Sequence, residues 1–346
     1  MDLIYMNARK EDVGVMFDFT LDLAFGSGEN DFECKIVKGN HCCQKNYFLY
    51  VENTEYGGII DSVGVDTGRD EVTYYGRTWH GILNSKIIEP DTGEAYLKLS
   101  GEANSVLGLL INRMGLSDLF VASASDSGVN IPNYQMSRYI AGYDGIQKML
   151  KASGAKLHIV FNNGFVELSA KPIVDYSEES NLSTDSIELV VKKNYNPLNH
   201  VICLGKGELE EREVIHVYAD KYGNICEEQS LTGLQEVVEV YENVNAESSE
   251  ELRQGGIERI AEAWKSTETD FDFNSDEESF DVGDIISAND EITGITAVTE
   301  IAKKIVKISN NTVTVSYVCG EIVTGGNNAE SAILGEAILG SLILGG

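Results

Sequence analysis

Any chemistry in this chain has to come from a short list of side chains. The 346 residues include five histidines, His41, His80, His158, His200 and His216. Histidine is the usual acid–base group near neutral pH. None of the five stands four residues from another, so no helix face presents a ready pair, and each is read as a structural side chain. Cys203 follows His200 by three residues, but a nucleophilic thiol needs an activating environment, which residue types alone do not supply. The pair is therefore not taken as a catalytic dyad. Gly-x-Ser-x-Gly elbows, Walker-type phosphate loops and His-Glu-x-x-His pairs are all absent from the sequence.

Asp270, Asp272, Asn274 and Asp276 alternate in a spacing that suggests a calcium loop. Such a loop needs glycine at its sixth place and glutamate at its twelfth. Those places hold Ser275 and Asp281, so the segment is read as an acidic linker. Paired carboxylates could cleave glycosides, but their separation in space decides that chemistry. With 56 acidic residues in the chain, close pairs arise by chance. The expectation is no catalytic residue, no cofactor and no metal site.

The formal charge of −30 argues against nucleic-acid binding, which needs clustered Lys and Arg. It fits a solvated acidic surface, or an acidic lumen or docking face. No apolar run approaches the roughly 20 residues of a membrane span. The start, Met1-Asp2-Leu3-Ile4-Tyr5, lacks the basic and apolar regions of a secretory signal. Six cysteines without a Cys-x-x-Cys pair are too sparse for a disulfide framework. They are read as reduced thiols in a protein made in the cytoplasm. Adjacent Cys42 and Cys43 would point to opposite faces of a strand, which makes them poor partners for one metal ion.

The elements fall into blocks. Residues 1–94 read as a first β domain, with strands expected over 3–7, 32–37, 47–51, 58–65 and 71–75 and a helical turn over 78–85. Residues 95–180 read as an α+β insert. Val106, Leu107, Leu110, Ile111 and Met114 have helical spacing, with Ser100 as the expected cap and Gly115 as the stop. A second helix is expected over 143–152. Asn162-Asn163-Gly164 between two apolar-alternating runs predicts a hairpin. Residues 181–320 read as a second β domain, with strands over 186–191, 200–205, 214–219, 294–297, 305–308 and 313–318 and a turn over 220–224. It carries an inserted helix over about 246–266, where Ser248 and Glu251 fit a capping box and paired Gly255-Gly256 weakens the helix.

Residues 321–346 differ from the rest. Ala332-Ile333-Leu334-Gly335-Glu336, Ala337-Ile338-Leu339-Gly340-Ser341 and Leu342-Ile343-Leu344-Gly345-Gly346 repeat one five-residue unit. A period of five suits neither a helix nor a strand. Ile333, Leu334, Ile338, Leu339, Ile343 and Leu344 would form a sticky patch if exposed, and they are the candidate residues for docking another subunit.

Two segments carry a resemblance. Tyr74-Tyr75-Gly76-Arg77 with Leu83 and Ile87-Ile88-Glu89-Pro90 resembles the end of the first β domain of baseplate hub, or tail-tip hub, proteins of long-tailed bacteriophages and related contractile injection particles. Phe280-Asp281-Val282-Gly283-Asp284-Ile285-Ile286, followed by Asp290, Gly294-Ile295 and residues 301–308, is similar to their late β domain. The resemblance implies a mainly β fold with an α+β insert and two tail-tube-like β-barrel domains per chain. A homotrimer would form a pseudo-hexameric ring. It implies a structural, non-enzymatic virion subunit that caps the tail tube, touches the tube or distal tail protein and other baseplate proteins, and adapts them to a spike or central fibre. DNA would meet it only in transit through the lumen. Alternatives are a tail-associated peptidoglycan hydrolase acting through the insert, a carbohydrate-binding tail-tip protein using Tyr134, Tyr139 and Tyr143, and a hexameric distal tail protein. Many relatives carry a downstream peptidase, lysozyme or receptor-binding module, for which residues 321–346 leave no room. The spike or fibre is therefore expected on a separate chain. Deleting residues 327–346 is expected to leave the ring's mass unchanged by native mass spectrometry while the spike or fibre chain no longer co-purifies. Retention of that chain would refute the docking role.

Overall fold

Short apolar-alternating runs separated by Gly, Asn and Asp make strands the dominant element. The structure, a computed structural model, describes residues 1–177, 181–183, 188–191, 194, 196–265, 269–274, 280–290, 295–309 and 312–322. The chain divides into a larger unit, Met1–Leu189 with Phe271–Gly320, and a smaller unit built on Val190–Asp270. Four α-helices occur among the described residues: α1 (Trp79–Asn84), α2 (Ala103–Arg113), α3 (Gly142–Lys151) and α4 (Ser249–Lys265).

One extended sheet organises the larger unit. In pairing order it runs through Thr312–Ile322, Ile295–Ser309, Phe19–Gly26, Asp31–Val37, Glu71–Thr78, Gly57–Asp66, Phe48–Tyr50, Leu3–Met6 and Asp12–Met16. The larger unit spans the expected boundaries at 94 and 180. Ile295–Ser309 pairs antiparallel with Phe19–Gly26, from Lys303 opposite Gly26 to Ser309 opposite Thr20. Val306 and Ile308 also share a core with Leu21, Leu23, Phe32 and Tyr74. The late strands thus complete the first sheet instead of founding a separate domain. Among the strands that were not expected are Asp12–Met16 and Phe19–Gly26. The first has glycine at its centre, and the second is buried on both faces over its last four residues, which erases the alternation that marks a strand.

The α+β part follows the residue pattern closely. Thr78 caps α1, its hydroxyl accepting from the Gly81 N–H at 3.3 Å. The cap of α2 is Glu102, not Ser100: its carboxylate accepts from the N–H groups of Asn104 and Ser105. A carboxylate at a helix start also meets the positive end of the helix dipole. Asn163 and Gly164 take positive φ between Ala155–Asn162 and Phe165–Pro172, as a two-residue hairpin turn requires. Cys42 and Cys43 lie outside any strand, with their sulfurs 3.7 Å apart, because both backbone N–H groups turn inward to donate to the Tyr74 hydroxyl.

A buried charge network ties these parts together. Lys156 Nζ donates to both carboxylate oxygens of Asp284 at 2.7 Å and to Asp281 Oδ2 at 2.8 Å. Asp284 also accepts from the backbone N–H groups of Val174 and Asp281. Its own backbone carbonyl receives the Ile301 N–H. Gly283 between them has φ +99°, a conformation open to glycine at little cost. Nearby, Lys304 Nζ bonds Glu55 Oε1 at 2.8 Å. Burial works against the Lys304 charge, but Glu55 more than offsets this and holds the amine protonated. His80 stacks on Phe25 with centroids 4.3 Å apart. Burial, with help from the Lys304 charge, pushes its imidazole down to about 3, so it stays neutral.

In the smaller unit, Ile225–Cys226, Val214–Ala219, His200–Leu204 and Val238–Glu242 form a four-stranded sheet in that order. α4 covers one face, packing Leu252 and Ile260 against Val201, Cys203, Val217 and Ala219. Ser248 Oγ receives the Glu251 N–H at 3.2 Å, and the Glu251 carboxylate receives the Glu247 N–H. The paired glycines that weaken the helix locally serve this packing. A Cβ at Gly256 would lie 2.4 Å from Cys203 Sγ, and one at Gly255 would lie 2.5 Å from the Tyr241 ring.

Two outcomes follow. Gly256→Ala should cost about 1–3 kcal/mol by overpacking, read from Trp264 fluorescence in denaturant titrations. Asp284→Asn should cost about 3 kcal/mol, since it leaves Lys156 buried with a single carboxylate. Asp281 is lowered because the Lys156 hydrogen bond and charge outweigh burial. Its contribution to stability is therefore present above the ordinary carboxylate range and lost as pH falls through the lowered folded value. In Lys156→Met that acid-side dependence should shrink, as measured by melting temperature against pH.

Candidate functional site

The sheet of the larger unit ends at Asp12–Met16, which among the described residues bonds to Leu3–Met6 on one side only. Alternation places Gly14 and Met16 inward, beside Tyr5 and Leu3. Val13 and Val15 face the other way, and Phe17 follows at the strand's end. Val13 is 50% exposed, Val15 37% and Phe17 72%. An edge with free backbone groups and apolar side chains is a template for adding another strand. Its protections are slight: a register shift skips Val13 in the pairing, and Asp12, its only charged residue, accepts from the Tyr50 hydroxyl.

A second feature is a polar groove on the α+β part. Hairpin register sets His158 opposite Ser169, Val160 opposite Glu167 and Lys156 opposite Lys171. Ile159, Phe161, Val166 and Leu168 take the other face into the core. The outer face floors a cavity of about 440 Å³ lined by His158, Glu167, Ser169, Lys171, Ser123 and Asp126, among others. A smaller cavity of about 390 Å³ adjoins it through Asn104, Ser123, Ser125 and Asp126. The wall at Ser127 is pinned by Glu102. Although burial opposes its charge, hydrogen bonds from Ser127, Asn104 and Ser105 bring Glu102 down to about 2. Burial, followed by the Lys171 charge, lowers His158. A neutral imidazole in a groove could accept a proton. Among the described residues, however, no hydrogen bond joins His158 to Ser169 or Glu167, so the nucleophile–base geometry of a hydrolase is not assembled.

The histidines are placed as follows. His41 contacts the Tyr74 hydroxyl at 2.9 Å, His80 is in the core and His158 faces the groove. Sequence spacing left His200 and His216 apart, but strand pairing joins them: His200 lies opposite Tyr218 and Ile202 opposite His216. The signal for this was the matching alternation of His200-x-Ile202 and His216-x-Tyr218 on two adjacent strands. Cys203 points toward α4 and is buried, on the face opposite His200, and burial pushes its thiol up. Of the three tyrosines considered for sugar binding, Tyr143 is buried and Tyr139 is 58% exposed, so they do not form one outward cluster. No group of three or more His, Cys, Asp or Glu side chains among the described residues could hold a metal ion. No described helix is long and apolar enough to cross a membrane. The docking candidates Ile333, Leu334, Ile338, Leu339, Ile343 and Leu344 lie outside the described residues.

No protein-family model and no curated protein matches the chain. Solved structures do. The 43 kDa tail protein of prophage MuSo2 from Shewanella oneidensis is similar with a TM-score of 0.54 at 9% identity, over 92% of this chain and 98% of that one. The prophage tail protein gp18 from Listeria monocytogenes EGD-e aligns with a TM-score of 0.49 at 11% identity, over 96% of each chain. The tail protein from Neisseria meningitidis MC58 aligns at 0.46 and 12% identity, over 92% of this chain and 96% of that one. At such identities the likeness is one of fold: this chain folds, over nearly its whole length, like the Shewanella prophage tail protein.

Proposed function

We propose that this chain is a structural subunit of a phage-type tail, a baseplate hub that caps the tail tube and adapts it to a spike or central fibre. The observation that carries the reading is the end-to-end fold likeness to the Shewanella tail protein, since 98% of that chain is matched. The uncovered edge at Asp12–Met16 supplies the physical means. An edge strand that pairs with a neighbouring copy removes its own exposed groups, and ring closure limits the assembly. Three copies would form the ring, with two tube-like parts from each. The formal charge of −30 suits a lumen through which DNA passes without adhering. Ile333, Leu334, Ile338, Leu339, Ile343 and Leu344 are assigned to the distal partner, and the chain acts by assembly, not catalysis.

The groove holding His158 favours a second reading, a tail-associated hydrolase. Its test is whether the purified chain degrades peptidoglycan and whether His158→Gln abolishes that activity. For the hub reading, native mass spectrometry should give a mass three times that of the 37.9 kDa chain. Placing lysines at Val13 and Val15, as natural edges do, should return the chain to monomer with little change in melting temperature, because both side chains are already exposed. A hexamer would instead support the distal tail alternative. A trimer unaffected by the double substitution would remove the edge strand from the interface.

A further inference from the structure

One polar chain in the smaller unit has no part in the reading above. His200 Nδ1 lies 2.7 Å from Glu236 Oε1, and His200 Nε2 lies 2.8 Å from His216 Nδ1. Gln229 Nε2 donates to the same Glu236 oxygen at 2.7 Å. The Tyr218 ring packs on both histidines, with centroids 4.6 Å from His200 and 6.0 Å from His216. All of this lies on the sheet face away from α4, because Val201, Cys203, Val217 and Ala219 take the helix side. His200 is 7% exposed, whereas His216 is exposed.

The number of protons this arrangement tolerates can be counted. An ionised carboxylate only accepts hydrogen bonds, so His200 Nδ1 must carry a hydrogen. In the neutral pair His200 Nε2 is then an acceptor, and His216 must donate through Nδ1. Its Nε2 is left with a lone pair toward solvent. Added there, one proton leaves every bond in place. It can equally reside on His200, with His216 Nδ1 becoming the acceptor. Once a second proton is added, N–H groups sit on both His200 Nε2 and His216 Nδ1, facing each other across 2.8 Å. Two donors cannot share that distance.

We propose that Glu236, His200 and His216 form a proton-operated latch on the face of the smaller unit's sheet away from α4, closed with no or one added proton and forced open by a second. Glu236 is held below the ordinary carboxylate range, chiefly by the His200 hydrogen bond, which keeps the acceptor end charged. The other titratable groups near the latch are Tyr218 and, opposite it, Cys226. The Arg212–Glu242 ion pair lies farther along the same face, and Glu239 with Arg259 lies on the helix side. None of these carries a positive charge into the His200–His216 contact. Opening frees the His216 side chain and leaves two imidazolium groups beside exposed Val214, Val238 and Val240. The strand ends stay fixed, because Asn199 holds the carbonyl of Gln235 and the N–H of Val237. Acidification thus changes the charge of this face without unfolding it.

The inference does not depend on the hub reading, and its test is separate. Long-range proton–nitrogen correlation spectra of the full, nitrogen-labelled chain report each imidazole's tautomer. At mildly alkaline pH His216 should appear as the Nδ1–H tautomer, the less common form for a free side chain. On acidification, once both imidazoles carry two N–H groups, the close ring-to-ring contact should be lost, because two donors cannot share it. An Nε2–H tautomer at His216 at mildly alkaline pH, or ring-to-ring contacts that persist when the nitrogen shifts show both imidazoles doubly protonated, would each overturn the latch.

Discussion

The larger unit depends on one buried ion pair, Lys156 with Asp284. Burying charges is costly unless they are paired and hydrogen-bonded. Here the lysine comes from the hairpin of the α+β part and the aspartate from a turn that opens the late strands. The same carboxylate fixes the backbone at Val174 and at Asp281. The pair therefore sets where the chain re-enters the larger unit after the smaller one. The late strands that follow can then lie against Phe19–Gly26 in register, and Phe280, Ile286, Ile301 and Tyr317 can close a small core of their own.

This explains which parts of the fold were legible in the residues. Helices α1, α3 and α4 and the Asn163-Gly164 hairpin are local, each signalled by a cap, a turn dipeptide or an apolar stripe. The Phe280–Asp284 motif was visible as a pattern, but its purpose was not. Its value lies in Lys156, which is far away in sequence and next to it in space. The place of the late strands was hidden for the same reason. Strand propensity marks residues 294–297 and 305–308 as two short strands, but nothing local says that they join into Ile295–Ser309 or that its partner is Phe19–Gly26. The Gly255-Gly256 pair shows the reverse error. A local penalty was read as weakness, whereas the missing side chains allow α4 to approach Cys203 and Tyr241.

The candidate surfaces were less legible still. Asp12–Met16 looks unremarkable as a sequence, because an edge strand is defined by what does not pair with it. His200 and His216 are separated by a whole strand connection, and only antiparallel register turns that distance into a hydrogen bond. Residues close together in the chain, such as Cys203 and His200, end on opposite faces of one strand. The period of two that makes a strand amphipathic also separates such neighbours.

The pairing of Phe19–Gly26 with Ile295–Ser309 has a consequence for synthesis. On a ribosome the early strands emerge long before their late partner. Until about residue 309 is released, Phe19–Gly26 has a neighbour on one side only and stands as an open sheet edge. Non-local strand pairing is slow, and transient edges invite aggregation. The late strands thus act as a timer: a fragment that stalls before them keeps Phe19–Gly26 as an open edge, across the sheet from Asp12–Met16.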